Sequence, residues 1–126
     1  MCIRDRIQDE GFDRKNIFFL GFSQGACLAI EFTLRLPYAI GGIIPIAGFI
    51  KKIDLIAKEA TNQSKGTPVL LLHGKQDMTI PFNMSETAKA LLVKRGHKVF
   101  LYSYEAAHKI STKSFPLIKD LSLIHI

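Results

Sequence analysis

Residues 16–30, "NIFFLGFSQGACLAI", constrain this chain more than any other stretch. An apolar run ends in Gly21-Phe22-Ser23-Gln24-Gly25, and a second apolar run begins at once. A short continuous apolar run reads as a strand covered on both faces. The second run lacks Gly and Pro and is long enough for a helix. A strand that turns into a helix within so few residues must bend sharply. Residues two before and two after the bend should then be small, because their Cβ atoms would collide with the turn; Gly21 and Gly25 meet that demand. Ser23, at the centre, is either a nucleophile held up on a strained turn or a plain turn serine.

The same alternation continues along the chain. Residues 7–12 read as the tail of a helix closed by Gly11, residues 16–20 as a strand and 26–36 as a helix. That helix stops before Pro37, because the residue preceding a proline is biased away from helix. Residues 43–47 form a second buried strand, in which Pro45 has no N–H to give and makes the pairing irregular. A short helix is expected over 51–60, a polar loop at "TNQSKG", a third strand over 68–72 and a helix over 82–95 ended by Gly96. Residues 99–104 make a fourth strand. A last helix covers 111–120, with Ser111 as its N-cap. Strands alternating with helices over short links predict an α/β fold, a mostly parallel sheet of about four strands with flanking helices. Chemistry in such sheets gathers at the carboxyl ends of the strands.

Three chemically suited side chains follow three different strands. Ser23 follows the first, Asp77 in "HGKQD" the third, and His108 in "YEAAHKIS" the fourth. The order Ser, Asp, His is that of the α/β-hydrolase triad. A serine hydroxyl needs a base to become a nucleophile. Imidazole can take and return that proton near neutral pH, and a carboxylate holds the imidazole in the useful tautomer. The first backbone N–H after the nucleophile, that of Gln24, is the expected oxyanion donor at a helix N-terminus. The bland readings are an Asx turn for Asp77 and a surface loop histidine for His108. His73 follows a strand but lies only four residues before Asp77, so it reads as support for that loop. His97 falls at a helix-to-strand turn, on the wrong end of the sheet. Asp54 lies in a variable excursion. Cys27, inside the helix, reads as a small buried apolar residue.

Composition excludes several classes. The chain has 126 residues, 48% hydrophobic, with 17 Lys+Arg against 11 Asp+Glu. That is room for one globular domain. The densest basic pairs, Lys51-Lys52 and Lys94-Arg95, are too short to argue for nucleic-acid binding. No apolar run approaches the roughly 20 residues of a spanning helix, so stable membrane insertion is not expected. The ends read differently from the rest. Allowed codons for residues 1–6 and 121–126 can be written as reverse complements, the pattern of a translated DNA-library adapter. Both segments are therefore expected to be adapter-derived, leaving 7–120 as a partial domain. Cys27 is then the segment's one cysteine, compatible with a reducing compartment such as the cytoplasm.

With these motifs in hand, "IFFLGFSQGACLAI", "TPVLLLHGKQDMTIP" and "YSYEAAHKIS" resemble the three motif blocks of the phospholipase/carboxylesterase family, which includes acyl-protein thioesterases and bacterial carboxylesterases. The resemblance covers nearly all of residues 7–120 and implies the C-terminal half of an α/β-hydrolase fold. It implies Ser23, Asp77 and His108 as nucleophile, orienting acid and base, with no metal or cofactor. The substrate would be a small-molecule or lipid-like ester or thioester. Phe49, in "AGFI", is similar to a stretch lining the acyl side, and Met78 and Ile80 are expected along the same groove. The family's N-terminal strands and second oxyanion amide have no counterpart here. Loss of one such donor costs about 2.7–4 kcal/mol of transition-state stabilisation, so weak turnover and poor solubility are expected. The rivals are a dienelactone-hydrolase-like or oligopeptidase-type hydrolase, and a non-catalytic binding protein of the same fold.

Overall fold

The computed structural model describes residues 14–109. The helices expected over 7–12 and 111–120, and both terminal segments, lie outside the described residues. Four strands form one sheet in the order β1 (Phe18–Phe22), β2 (Gly42–Ile46), β3 (Val69–Gly74), β4 (Val99–Tyr104). Every neighbouring pair is parallel. Helices α1 (Gln24–Leu34), α2 (Ile53–Glu59) and α3 (Asn83–Lys94) fall in the crossovers. The fold is α/β, as the alternation predicts.

The central strands explain the hydrophobic runs. Every residue of β2 and β3 is buried, whereas β4 alternates half-buried and exposed positions along most of its length. Helix α1 presents Ala26, Ile30, Thr33 and Leu34 to the sheet at helical spacing. Ile30 and Leu34 meet Ile43, Val69 and Leu71, and Ala88 and Leu92 of α3 close the same core. A second cluster on the opposite sheet face joins Ile44, Ile46, Leu70, Leu72 and Tyr104. Full burial of one such large aliphatic side chain stabilises the fold by about 1.5–3 kcal/mol.

Most element bounds shift by one or two residues from expectation, and three of the shifts bear on the site. Strand β1 starts two residues later and runs to Phe22, because Gly21 and Phe22 stay extended and pair with Pro45 and Ile46. Helix α1 starts at Gln24 instead of residue 26, so Ser23 is its N-cap. Strand β3 extends through His73 and Gly74, paired with Ser103 and Tyr104. Within "TNQSKG", Gln63–Gly66 closes a 3₁₀ turn whose Ser64 hydroxyl donates to Leu34 O at 3.0 Å. Pro45 behaves as its missing N–H requires. The β2–β3 ladder pairs Ile43 with Val69 and Ile46 with Leu72, with no pairing at Ile44 or Pro45 between them.

His97 lies at the amino end of the sheet. Its Nδ1 is 2.9 Å from Thr67 O, and since a carbonyl only accepts, Nδ1 carries the proton. Nε2 is buried without a partner among the described residues. Burial is the main reason its pKa is lowered from the ordinary 6.5, with Arg95 and Lys65 adding repulsion and the Thr67 bond opposing. The neutral ring therefore stabilises the fold above about pH 6.5, and that contribution is lost as the pH falls from there toward the lowered folded value. In urea unfolding, His97→Asn is expected to lose less stability than wild type between about pH 7 and pH 5. Parallel pH curves for the two proteins would show that His97 does not titrate on unfolding.

Candidate active site

Ser23 takes its backbone strain from the junction it occupies. Its φ is 56° and ψ −115°, outside the ordinary regions for a residue with a side chain. Two hydrogen bonds pin it there. Ser23 N donates to Ile46 O at 2.8 Å, tying the bend to β2, and Ser23 O accepts the first helical bond from Cys27 N at 3.2 Å. A Cβ on Gly21 would stand 2.3 Å from Gly25 O and 2.4 Å from Gly25 C, so the bend closes only over a glycine at 21. Gly25 differs from the sequence reading. A Cβ there meets nothing within 4 Å and its φ is not positive, so the described residues impose no steric need for glycine. The approach is one-sided because residue 25 is already helical and points its Cα hydrogens outward, while its carbonyl closes on Gly21.

Ala47 shares this strain, with φ 54°, directly after β2. Ser23 and Ala47 are the non-glycine residues with positive φ among the described residues. They terminate neighbouring strands at the same end of the sheet. Strain of this kind costs about 1–3 kcal/mol per residue and gathers at functional sites. Nothing in the sequence around Ala47 signals it.

Asp77 is held by both of its oxygens. Oδ1 accepts from Thr79 N at 2.9 Å and Ile80 N at 2.7 Å, an Asx-type turn. Oδ2 accepts from His108 Nδ1 at 2.6 Å. The bland and the chemical readings of Asp77 therefore hold together, one on each oxygen. Burial of this side chain works to raise its pKa, but the His108, Ile80 and Thr79 hydrogen bonds together outweigh it, and the carboxyl lies below its ordinary 3.8. The carboxylate stabilises the fold above that ordinary value, and the contribution is lost as the pH falls through the lowered folded value.

His108 is placed by a close backbone crossing. The loop after β4 passes over the end of β3, where a Cβ on Gly74 would stand 2.3 Å from Ala106 O and 2.5 Å from Ala107 O. Gln76 N donates to Ala106 O at 3.0 Å and locks the Asp77 and His108 loops together. The imidazole packs on Phe22, with ring centroids 4.7 Å apart. Phe22 directly precedes Ser23, so the ring lies at the elbow. Because the Asp77 carboxylate only accepts, Nδ1 carries the proton and a neutral ring leaves Nε2 with a free lone pair. Gln24 is exposed, and as the first residue of α1 its N–H has no helical acceptor.

His73 supports this arrangement from below. It is fully buried, with Nε2 2.7 Å from Ile80 O and Nδ1 2.6 Å from Ser85 Oγ. Its Nε2 is also 3.4 Å from Asp77 Oδ2. It thus ties the Asp77 loop to α3. The role of Ser85 in this tie was not visible from the sequence. Cys27 is buried; desolvation chiefly raises its thiol pKa, with the Lys51 backbone bond opposing, which suits an unreactive side chain. Phe49 lines a groove beside α1 together with Gln24, Leu28 and Leu55. Met78, 92% exposed, and Ile80 follow β3, beside Asp77. Asp54 is exposed on α2. Among the described residues no group of three His, Cys, Asp or Glu side chains could hold a metal ion, and no helix is long and apolar enough to cross a membrane.

Asp77→Asn separates the two jobs of that residue. Asn Oδ1 can still accept from Thr79 and Ile80, while the amide group can no longer fix the His108 proton on Nδ1. Ester hydrolysis is expected to fall by about 10⁴-fold with the fold retained. The dependence of the urea midpoint on pH below about 4 should flatten as well. An unchanged rate would separate Asp77 from the chemistry.

Comparison with known proteins matches this fold. The family model described as Phospholipase/Carboxylesterase matches residues 2–126. The acyl-protein thioesterase 1 of Kluyveromyces lactis is 42% identical over 91 residues, covering 71% of this chain and 40% of that protein. The carboxylesterase SOBER1 of Arabidopsis thaliana is 29% identical over 120 residues, covering 94% of this chain and 53% of that protein. The crystal structure of SOBER1 superposes with a TM-score of 0.91 at 27% identity, covering 98% of this chain and 59% of that one. A phospholipase/carboxylesterase from Dyadobacter fermentans gives 0.83 at 30% identity, covering 96% and 58%. The chain spans about half the length of the curated relatives it matches. Its sheet, its strained serine elbow and the family match over nearly its whole length lead to one assignment: the chain belongs to the phospholipase/carboxylesterase family.

Proposed function

We propose that this chain carries the nucleophile, base and orienting acid of a serine hydrolase that cleaves carboxylic esters or thioesters through an acyl-enzyme. One observation carries the reading. The Asp77–His108 pair, 2.6 Å apart, is packed through Phe22 against the strained Ser23 turn. In this reading Ser23 Oγ attacks the carbonyl carbon while His108 Nε2 takes its proton. The carbonyl oxygen becomes an oxyanion facing the Gln24 N–H at the positive end of α1. The tetrahedral intermediate collapses, and the imidazolium gives its proton to the departing alcohol or thiol. Water then repeats the sequence and frees the acid. Asp77 keeps the imidazole tautomer and stabilises the cation that forms, and no metal or cofactor is called for.

The names of the relatives, an acyl-protein thioesterase and a carboxylesterase, favour acyl esters and thioesters over peptides as the substrate class. Phe49 is the residue we place against the substrate. A short-chain p-nitrophenyl ester tests the reading: hydrolysis should depend on Ser23. A hydrolase-fold binding protein would give no Ser23-dependent rate.

A further inference from the structure

A groove of about 580 Å³ runs beside α1, on the side where the chain leaves β2 and enters α2. It starts at Gln24, next to Ser23, and reaches Arg35, a span of about 16 Å along the helix. Its middle is apolar. Leu28, 64% exposed, and Leu55, 37% exposed, face it together with Phe49. Side chains of this size left open to water favour an apolar occupant.

The charges along the groove are unequal. Arg35 is neutralised, with Nε 2.5 Å from Glu59 Oε2 and a guanidinium nitrogen 4.0 Å from Glu31. Lys51 and Lys52 also line the groove and are exposed, and neither forms an ion pair among the described residues. Two adjacent ammonium groups without a carboxylate partner, at the edge of an apolar floor, complement an anion carried on an apolar stem.

We propose that this groove is a substrate subsite for an anionic ester or thioester, in which Leu28, Phe49 and Leu55 take a short apolar stem and Lys51 and Lys52 take a phosphate or carboxylate at its end. That the bound group belongs to a substrate rests on the esterase reading; its capture by the groove does not. Neutral esters of the same length would fill the floor and leave both lysines to water. The Ser23 site would then act on charged substrates at lower concentration than on neutral ones.

Titration of the chain with hexyl phosphate, hexanoate and hexanol, followed by backbone amide NMR, tests the subsite. Hexyl phosphate is expected to bind at least about tenfold more tightly than hexanol at low salt, and to lose most of that margin in about 0.5 M salt. Shifts should centre on Leu28, Phe49 and Leu55. The ranking of hexyl phosphate against hexanoate identifies which anion the lysines prefer. The double variant Lys51→Ala/Lys52→Ala, at exposed positions, should bind all three alike. Equal binding of hexanol and hexyl phosphate by the wild type, a margin that survives the double variant, or shifts centred elsewhere would overturn the subsite. Ser23→Ala should bind hexyl phosphate as the wild type does. If Ser23 proves unreactive while that binding persists, the esterase reading falls and the groove remains an anion site.

Discussion

Ser23→Ala is expected to abolish covalent labelling by a fluorophosphonate and to lower ester hydrolysis by on the order of 10⁴–10⁶-fold, to the level supported by binding and the oxyanion amide. The size follows from what the substitution removes. Residues 21–25 carry no other hydroxyl, and water would have to reach the carbonyl without the entropy already spent on holding Ser23. The fold should survive, because Ser23 is held through its backbone bonds to Ile46 O and Cys27 N, which alanine keeps. Alanine at φ 56° is no more strained than serine. Mass spectrometry of the labelled chain should place the adduct on residue 23. An adduct elsewhere, or hydrolysis that persists in Ser23→Ala, would remove Ser23 from the mechanism.

The largest effect on stability is expected at Gly21. Its missing Cβ is replaced in space by the Gly25 carbonyl, 2.3 Å away, and by Ala26 N at 2.7 Å. These are backbone atoms, so no side chain can turn aside to make room. Either β1 leaves its register with β2 or the first turn of α1 opens. Gly21→Ala is expected to cost 3 kcal/mol or more, at or above the upper end of about 1–3 kcal/mol for overpacking. It should lose hydrolysis as well, because the Ser23 bend is what gives way. Gly25→Ala supplies the control. Nothing crowds it, and it lies in a helix, where alanine is favoured over glycine by up to about 1 kcal/mol. Its urea midpoint should match or exceed that of wild type. Equal loss in both variants would restore the symmetric reading of the two glycines.

That contrast marks a boundary between two kinds of information. The buried character of β2 and β3 was written in their apolar runs, since a strand covered on both faces has no need of polar alternation. The bounds of β4 followed from residues 99–104 in the same way, and the gap in the β2–β3 ladder followed from the missing N–H of Pro45. The sequence also put Ser, Asp and His after three separate strands. Since parallel strands place their carboxyl ends at one edge, that order was enough to predict a shared neighbourhood.

The contacts inside that neighbourhood were not legible in the same way. Asp77 and His108 are 31 residues apart, and their 2.6 Å bond depends on Gly74 letting the loop after β4 cross the end of β3. His73 reaches Ser85 and Ile80 only because β3 extends two residues past its apolar run. Ala47 takes a positive φ with no local signal. By itself the sequence determined the α/β alternation, the buried strands, the serine bend and the order of the chemical groups, all set by side-chain burial and backbone freedom within a few residues. Only the tertiary structure decided which of two glycines is sterically required, which oxygen of Asp77 meets which donor, and which side chains share a groove. Those depend on register and close approach between segments distant in the chain, where a shift of one residue or one Cβ decides the contact.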